Sequence, residues 1–361
     1  MGLGILLFSF LALYLLIVSV MLLSHIFTKR SLKKFIDTKN KREDYWNKQW
    51  IAAKNDNLFL LNKKAIKKIK KPQNLVAFFK FTEKLGKEEK QKLFELNADE
   101  LVRYAGKIND SSKAYFAYAL SVSGYIPANN ESKYYGLLYD YLKIESVHLR
   151  QNTLRALYHM GNPQSICNAF LYLSENNKNH AEKLLSDGLI EYTQDKDLLG
   201  IYLMNSFDKY LECYQDAIVT FFFRENIHKY DEVLKGYLNK ENEKIDLQCA
   251  IIRLLGKNPT YENGIFLSDM INSQNEEKYR DTVIVAAGVL GNFERNDVIF
   301  NTLVRSLFSK EWYIRINSAK SLCKMGISPE EIDGIKVKND AYANDALQYA
   351  LANENRNKEG A

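Results

Sequence analysis

KIDLQCAIIRLLG (residues 244–256), YRDTVIVAAGVLG (279–291) and IRINSAKSLCKMG (314–326) are three versions of one phrase. Each closes an apolar segment on a glycine, and Gly256, Gly291 and Gly326 stand 35 and 35 residues apart. A period of that length marks stacked helical pairs, in which each unit is too small to bury its apolar face alone and covers it with its neighbours. Seven residues before the glycines stand Cys249, Ile284 and Ala319; four before, Ile252, Ala287 and Leu322; one before, Leu255, Leu290 and Met325. Offsets of three and four put these side chains on one helical face. The glycine that follows is expected to supply the left-handed residue that stops the helix.

The phrase extends towards the N-terminus. Gly124 and Gly161 close segments with Ala117 and Leu154, Leu120 and Leu157, and Ser123 and Met160 at the same three offsets. The 95 residues between Gly161 and Gly256 leave room for two degenerate copies, ending near Tyr192 and Asn226, with Leu185 and Val219 in the minus-seven position. Helices connecting the closing segments are expected over 164–174, 195–207, 227–238, 261–271 and 296–308. Residues 72–110 read as a helical cap of two or three short helices broken at Gly86. Beyond Ser328 and Pro329 a last helix is expected over about 341–352, followed from Asn353 by a stretch too polar to pack. The fold class is therefore all-α, an N-terminal transmembrane helix followed by an α-solenoid of about seven helical pairs over 111–335, with a C-terminal helix and tail over 336–361.

Leu3 to Leu23 carries no charge over 21 residues, long enough at ~31 Å to cross the hydrocarbon core of a bilayer. A cleaved signal peptide is the rival reading. Nothing basic precedes the apolar run and no small-residue cleavage pattern follows it, so residues 1–28 are expected to be a retained anchor. Basic residues crowd the far flank, which predicts a single-pass cell-membrane protein with its N-terminus out and the rest of the chain cytoplasmic.

Charge is distributed unevenly. Residues 29–71 hold 15 of the 50 Lys and Arg and 4 of the 44 Asp and Glu, leaving 35 basic and 40 acidic side chains in residues 72–361. The overall balance of +6 is thus a property of the segment after the anchor, and gives no reason to expect nucleic-acid binding by the repeats. Within that segment Trp46 and Trp50 are four apart, and Ala65, Ile66 and Ile69 share a face crowded by lysines. One reading makes this an amphipathic surface for anionic lipid, with Lys33, Lys34, Trp46, Trp50, Lys63, Lys64, Lys67 and Lys68 as the contacting residues. The other makes it a solvated charged face on the first helices of the fold, with the tryptophans as ordinary packing.

The closing helices resemble HEAT repeats between about residues 111 and 326. The resemblance rests on an apolar opening followed by arginine, at Arg150, Arg280 and Arg315, each 11 residues before its glycine. Small residues follow at Ala156, Ala286 and Ala319, and the ends read Gly161-Asn162-Pro163, Gly256-Lys257-Asn258-Pro259 and Gly291-Asn292. Lys113 and Ile245 replace the arginine in two copies. The resemblance implies that such arginines bridge neighbouring units through carboxylates or carbonyls, with Glu145, Glu277 and Glu311 close upstream; a ligand-binding role is the alternative. Trp312 stands beside this ladder as a partner-binding candidate.

Motifs for chemistry are missing: there is no phosphate-binding loop, nucleophile elbow, H-E-x-x-H or dinucleotide fingerprint. Cys167, Cys213, Cys249 and Cys323 lie far apart within helical patterns, which fits buried apolar use and a reducing compartment. The five histidines are scattered. HEAT-like DNA glycosylases use a basic concave face, whereas the repeats here sum to an acidic balance. No enzyme activity, cofactor, metal or nucleic-acid partner is expected. Phe221, Phe222 and Phe223 read either as core or as a docking patch. The richness in Lys, Asn and Ile looks bacterial. Membrane-tethered HEAT proteins of this layout resemble accessory proteins of membrane glycosyltransferases in surface-polysaccharide synthesis. The expected function is thus a membrane-tethered cytoplasmic scaffold that binds an integral-membrane protein; the alternative is a sensor of anionic membrane surface acting through 29–71.

Overall fold

A computed structural model describes residues 38, 40–56, 58–128, 132–238, 244–273, 278–336 and 340–359. The expected anchor, Leu3 to Leu23, lies outside the described residues, as do Lys33, Lys34 and Glu277. Among the described residues no strand forms and no helix is long and apolar enough to cross a membrane. The arrangement is all-helical and consistent with an α-solenoid, and it divides into two compact units, Met1–Ser165 and Ile166–Ala361.

The first unit contains α1 (40–55), α2 (Lys63–Ile66), a 3-10 turn (Lys67–Lys70), α3 (Pro72–Glu83), α4 (Lys87–Leu96), α5 (Ala98–Ala105), α6 (Asp110–Val122), α7 (Lys133–Leu142) and α8 (Val147–Met160). Local chemistry sets several of these boundaries. Pro72 occupies the first turn of α3, where its missing N–H is no loss. The Asn109 side chain caps α6 by accepting from the Ser112 N–H at 2.9 Å, and α8 ends on Gly161 at φ 76°. Helix α6 packs on α8 and α5 on α7. Side chains of one layer then satisfy carbonyls of the layer before: Asn152 Nδ2 donates to the Ala114 carbonyl at 3.0 Å, and Tyr134 and Tyr141 hydroxyls donate to Phe94 and Ala105 carbonyls at 3.0 Å.

The second unit begins within α9 (Pro163–Glu175) and continues through α10 (Glu182–Ile190), α11 (Lys196–Met204), α12 (Glu212–Glu225), α13 (Asp231–Leu238), α14 (Ile245–Lys257), α15 (Tyr261–Ser273), α16 (Arg280–Val289), α17 (Asp297–Ser306), α18 (Trp312–Lys324), α19 (Pro329–Lys336) and α20 (Ala341–Glu359). Helices α10, α12, α14, α16, α18 and α20 each pack on the next, and α15 packs on α17. Most of the stripe expected from the repeat is core: Leu185, Val219, Cys249, Ile252, Leu255, Ala287, Leu290, Ala319 and Leu322 are buried, while Ile284 and Met325 are half-buried. Phe221 and Phe222 are buried with them, so the aromatic run is core packing, with Phe223 half-buried under Lys257. Helix α20 continues to Glu359, past the expected stop near 352, because Asn353 to Glu359 contains neither Gly nor Pro.

Two of the five closing glycines are not helix stops. Gly124, Gly161 and Gly326 have φ of 73°, 76° and 75°, the left-handed conformation that a Cβ disfavours. Gly256 instead lies inside α14, and Gly291 in a 3-10 turn, both without positive φ. A Cβ on Gly256 would stand 2.5 Å from Val289 Cβ, and one on Gly291 would stand 2.8 Å from Ser321 Cα. At these two positions glycine is required by the closeness of the neighbouring helix. Asn226, φ 63°, takes the left-handed stop at one of the two degenerate ends; the other, near Tyr192, closes without one.

Candidate functional site

The segment between α1 and α3 folds as a two-faced turn. The Asn62 side chain starts α2 by accepting from the Lys64 N–H at 2.8 Å, and α2 tightens into the 3-10 turn, in which side chains three apart eclipse one another. Ile66 and Ile69 are therefore driven into the interior together with Ala65, all three buried. Lys64, Lys67, Lys68, Lys70 and Lys71 are left exposed. The opposite wall is α1, which contributes Arg42 and Tyr45, and the start of α3 contributes Asn74.

Together Arg42, Tyr45, Lys64, Lys67, Lys68, Lys70, Lys71 and Asn74 line a groove of about 470 Å³. Among the described residues its lining holds six cationic side chains and no carboxylate. Like charges this close repel and destabilise the turn that carries them. Elsewhere in the first unit such charges are neutralised: Lys63 is 3.3 Å from Glu100, Lys54 2.6 Å from Glu89 and Lys84 2.9 Å from Glu43. In the groove Lys68 Nζ stands 3.7 Å above the Tyr45 ring and Lys70 Nζ 5.8 Å from the centre of the Tyr104 ring. The Asn74 amide donates to the Lys68 carbonyl at 3.2 Å, and the Trp46 indole N–H donates to the Asn74 carbonyl at 3.2 Å. A field of uncompensated positive charge thus stands on a fixed base, and what that base can do chemically is bind an anion.

The candidate residues of the basic segment separate into two groups. Trp46 and Trp50 are 1% and 2% exposed, with the Trp46 ring edge-on to Phe78 at 4.9 Å and Trp50 tilted against Phe59 at 5.8 Å. They are corrected from lipid contacts to core residues. Packing an indole removes ~200 Å² from water, about 5 kcal/mol at the usual coefficient, and the protein interior offers that contact without a bilayer. Lys63, Lys64, Lys67 and Lys68 remain on the surface. Arg42, Tyr45, Lys70, Lys71 and Asn74 complete the groove. Sequence reasoning passed over Tyr45 and Asn74 because neither is charged; their signal was the spacing of Tyr45 beside Trp46 on α1.

In the second unit the arginines link successive repeats. Arg280 Nε is 2.8 Å from Glu311, at the start of the following closing helix, and Arg315 Nη1 is 2.8 Å from Asp340 before α20 while its Nε donates to the Ser309 carbonyl. The carboxylate partner thus lies in the next repeat; Glu311 serves the arginine of the preceding copy. In the first unit Arg150 is 3.8 Å from Glu145 in its own loop. Trp312 is 45% exposed and its neighbour Tyr313 58%. Cys167, Cys249 and Cys323 are buried and Cys213 half-buried, and burial pushes the Cys249 thiol up to about 11. Among the described residues no three His, Cys, Asp or Glu side chains stand together as metal ligands. No protein-family model matches the chain, and no curated protein matches its sequence.

Proposed function

We propose that this chain is a helical-repeat binding protein held at a membrane, where the basic groove of its first unit engages the anionic lipid surface. The observation that carries this reading is the groove itself, six cations without a carboxylate, on a turn whose apolar face is already used by the core. Residues 1–28 serve in this reading as the anchor, N-terminus out, so that the groove follows the bilayer closely in sequence and works on its cytoplasmic face. Every described contact lies after residue 37, so a chain of residues 29–361 retains the groove. That chain is expected to float with vesicles containing anionic lipid at low salt and to be released as salt rises, because screening weakens exposed charge contacts. Equal flotation with neutral vesicles contradicts the reading.

A second reading is supported by Trp312 and Tyr313, adjacent and exposed at the start of α18, and by the resemblance of the repeats to HEAT units. There the second unit is a scaffold for an integral-membrane protein, with a glycosyltransferase of surface-polysaccharide synthesis as the partner class that the resemblance suggests. Aromatic side chains of this kind dominate protein contacts. Crosslinking in native membranes that recovers one membrane protein from the wild type, and loses it in a Trp312→Ala, Tyr313→Ala chain, supports this reading; equal recovery from both chains removes its basis.

A further inference from the structure

We propose that the basic groove is a discrete site for a phosphate group bearing two negative charges, a phosphomonoester or pyrophosphate, and not merely a patch of diffuse charge. The inference rests on the membrane-surface reading above and specifies the ligand of the same groove.

Convergence comes first. A diffuse contact with a charged surface needs only cations spread over one side of a molecule. Here six cations from α1, the α2 turn and the start of α3 face into about 470 Å³, a volume suited to one small ligand. Rigidity comes second. The turn is capped by Asn62, pinned by buried Ala65, Ile66 and Ile69, and tied to α3 through Asn74, whose carbonyl is held by Trp46. The ammonium heads thus spring from a fixed base, which lowers the ordering cost of binding.

Charge selects among anions. With no carboxylate among the described lining residues, an anion that enters meets uncompensated cations, and a dianion gains more there than a monoanion. Arg42 adds a planar fork that matches two phosphate oxygens. A headgroup that carries an ammonium of its own, such as serine or ethanolamine, brings a cation among six others and is disfavoured. A phosphomonoester brings none. A nucleic acid presents one charge per phosphate along a track and needs a row of contacts, whereas this groove is a single depression.

The test is lysine footprinting on the full chain. The protein is reconstituted in discs of neutral phosphatidylcholine, in discs containing phosphatidic acid, and in discs containing phosphatidylserine at matched total charge, and acetylation of each lysine is followed by mass spectrometry. Soluble pyrophosphate added to the neutral discs tells a free phosphate source from a lipid one. Lys64, Lys67 and Lys71 are expected to be protected at least fivefold by phosphatidic acid or by pyrophosphate, and less than twofold by phosphatidylserine. Exposed Lys87 and Lys107 serve as the reference in the same spectra. A Lys67→Gln, Lys71→Gln chain with an unchanged circular dichroism spectrum is expected to lose the protection of Lys64. Equal protection by both lipids overturns the discrete site and leaves the membrane-surface reading standing. No protection under any condition removes both. Stronger protection of the groove by a single-stranded oligonucleotide than by either phosphate probe also overturns the proposal.

Discussion

Asp216 sits half-buried on α12, and Oδ1 finds no hydrogen-bond partner among the described residues. Burial, then Glu212 on the same helix, Asp246 of α14 and Glu182 of α10, push its carboxyl up to about 7, with Lys244 opposing. Since the folded value lies above the ordinary 3.8, the folded chain holds this proton more tightly than the unfolded one. Stability should therefore fall as pH rises from about 4 to about 7 and stay at the lower level above that. Asp216→Asn should be neutral near pH 4 and stabilise by on the order of 1–2 kcal/mol at pH 8, the shift being discounted for solvent screening. Thermal denaturation of both chains across that range reads the difference directly, and a gain that does not vary with pH contradicts the assignment. The repeat glycines make a second residue-level test. Gly291→Ala drives a Cβ to within 2.8 Å of the Ser321 backbone and should cost about 1–3 kcal/mol by overpacking. Gly326→Ala meets open space at φ 75° and should cost only ~1 kcal/mol, the conformational penalty alone. A lower denaturant midpoint for Gly326→Ala than for Gly291→Ala would reverse the two roles.

Helix α1 and the α2 turn belong to the core of the first unit, and their removal from it should be felt throughout that unit. Trp46→Ala takes away the ring against Phe78 and the hydrogen bond to Asn74, and should destabilise by about 3–5 kcal/mol in urea denaturation. An effect below about 1 kcal/mol, as expected of a surface position, would mean that α1 is not part of the fold. At this scale the sequence was readable where spacing is a local consequence of packing. A helix buried on one side must repeat apolar residues at three and four, and so every expected closing helix forms, from α6 to α18. The same periodicity says that a face is apolar and nothing of what covers it. Trp46, Trp50, Ile66 and Ile69 therefore looked the same against a lipid surface as against α3, and only the tertiary contacts decide. Gly256 and Gly291 share that difficulty: a glycine needed for closeness to Val289 or Ser321 is written like one needed for a left-handed turn. For the site, the lysines were legible as a charge run. The groove was not, since Arg42 and Asn74 come from elements on either side of the turn.

Across the whole chain, charge is sorted by segment. Residues 29–71 carry a balance of +11 and residues 72–361 one of −5, so an anionic surface of the kind proposed would attract the first segment and not the second. On the proposed reading the basic segment is the part that engages a membrane, and the helical repeats are left for other contacts. The cations of the groove, not the total charge, should then set its affinity. The most direct measurement is the vesicle partition coefficient of the 29–361 chain on membranes containing phosphatidic acid, for wild type, for Lys64→Gln with Lys67→Gln, and for the equally charged control Lys87→Gln with Lys107→Gln. At about 1 kcal/mol per lysine near the surface, the groove pair should lose roughly 30-fold in partitioning while the control loses less than threefold. Equal losses in the two pairs, or none in the groove pair, would contradict the groove as the membrane-binding site.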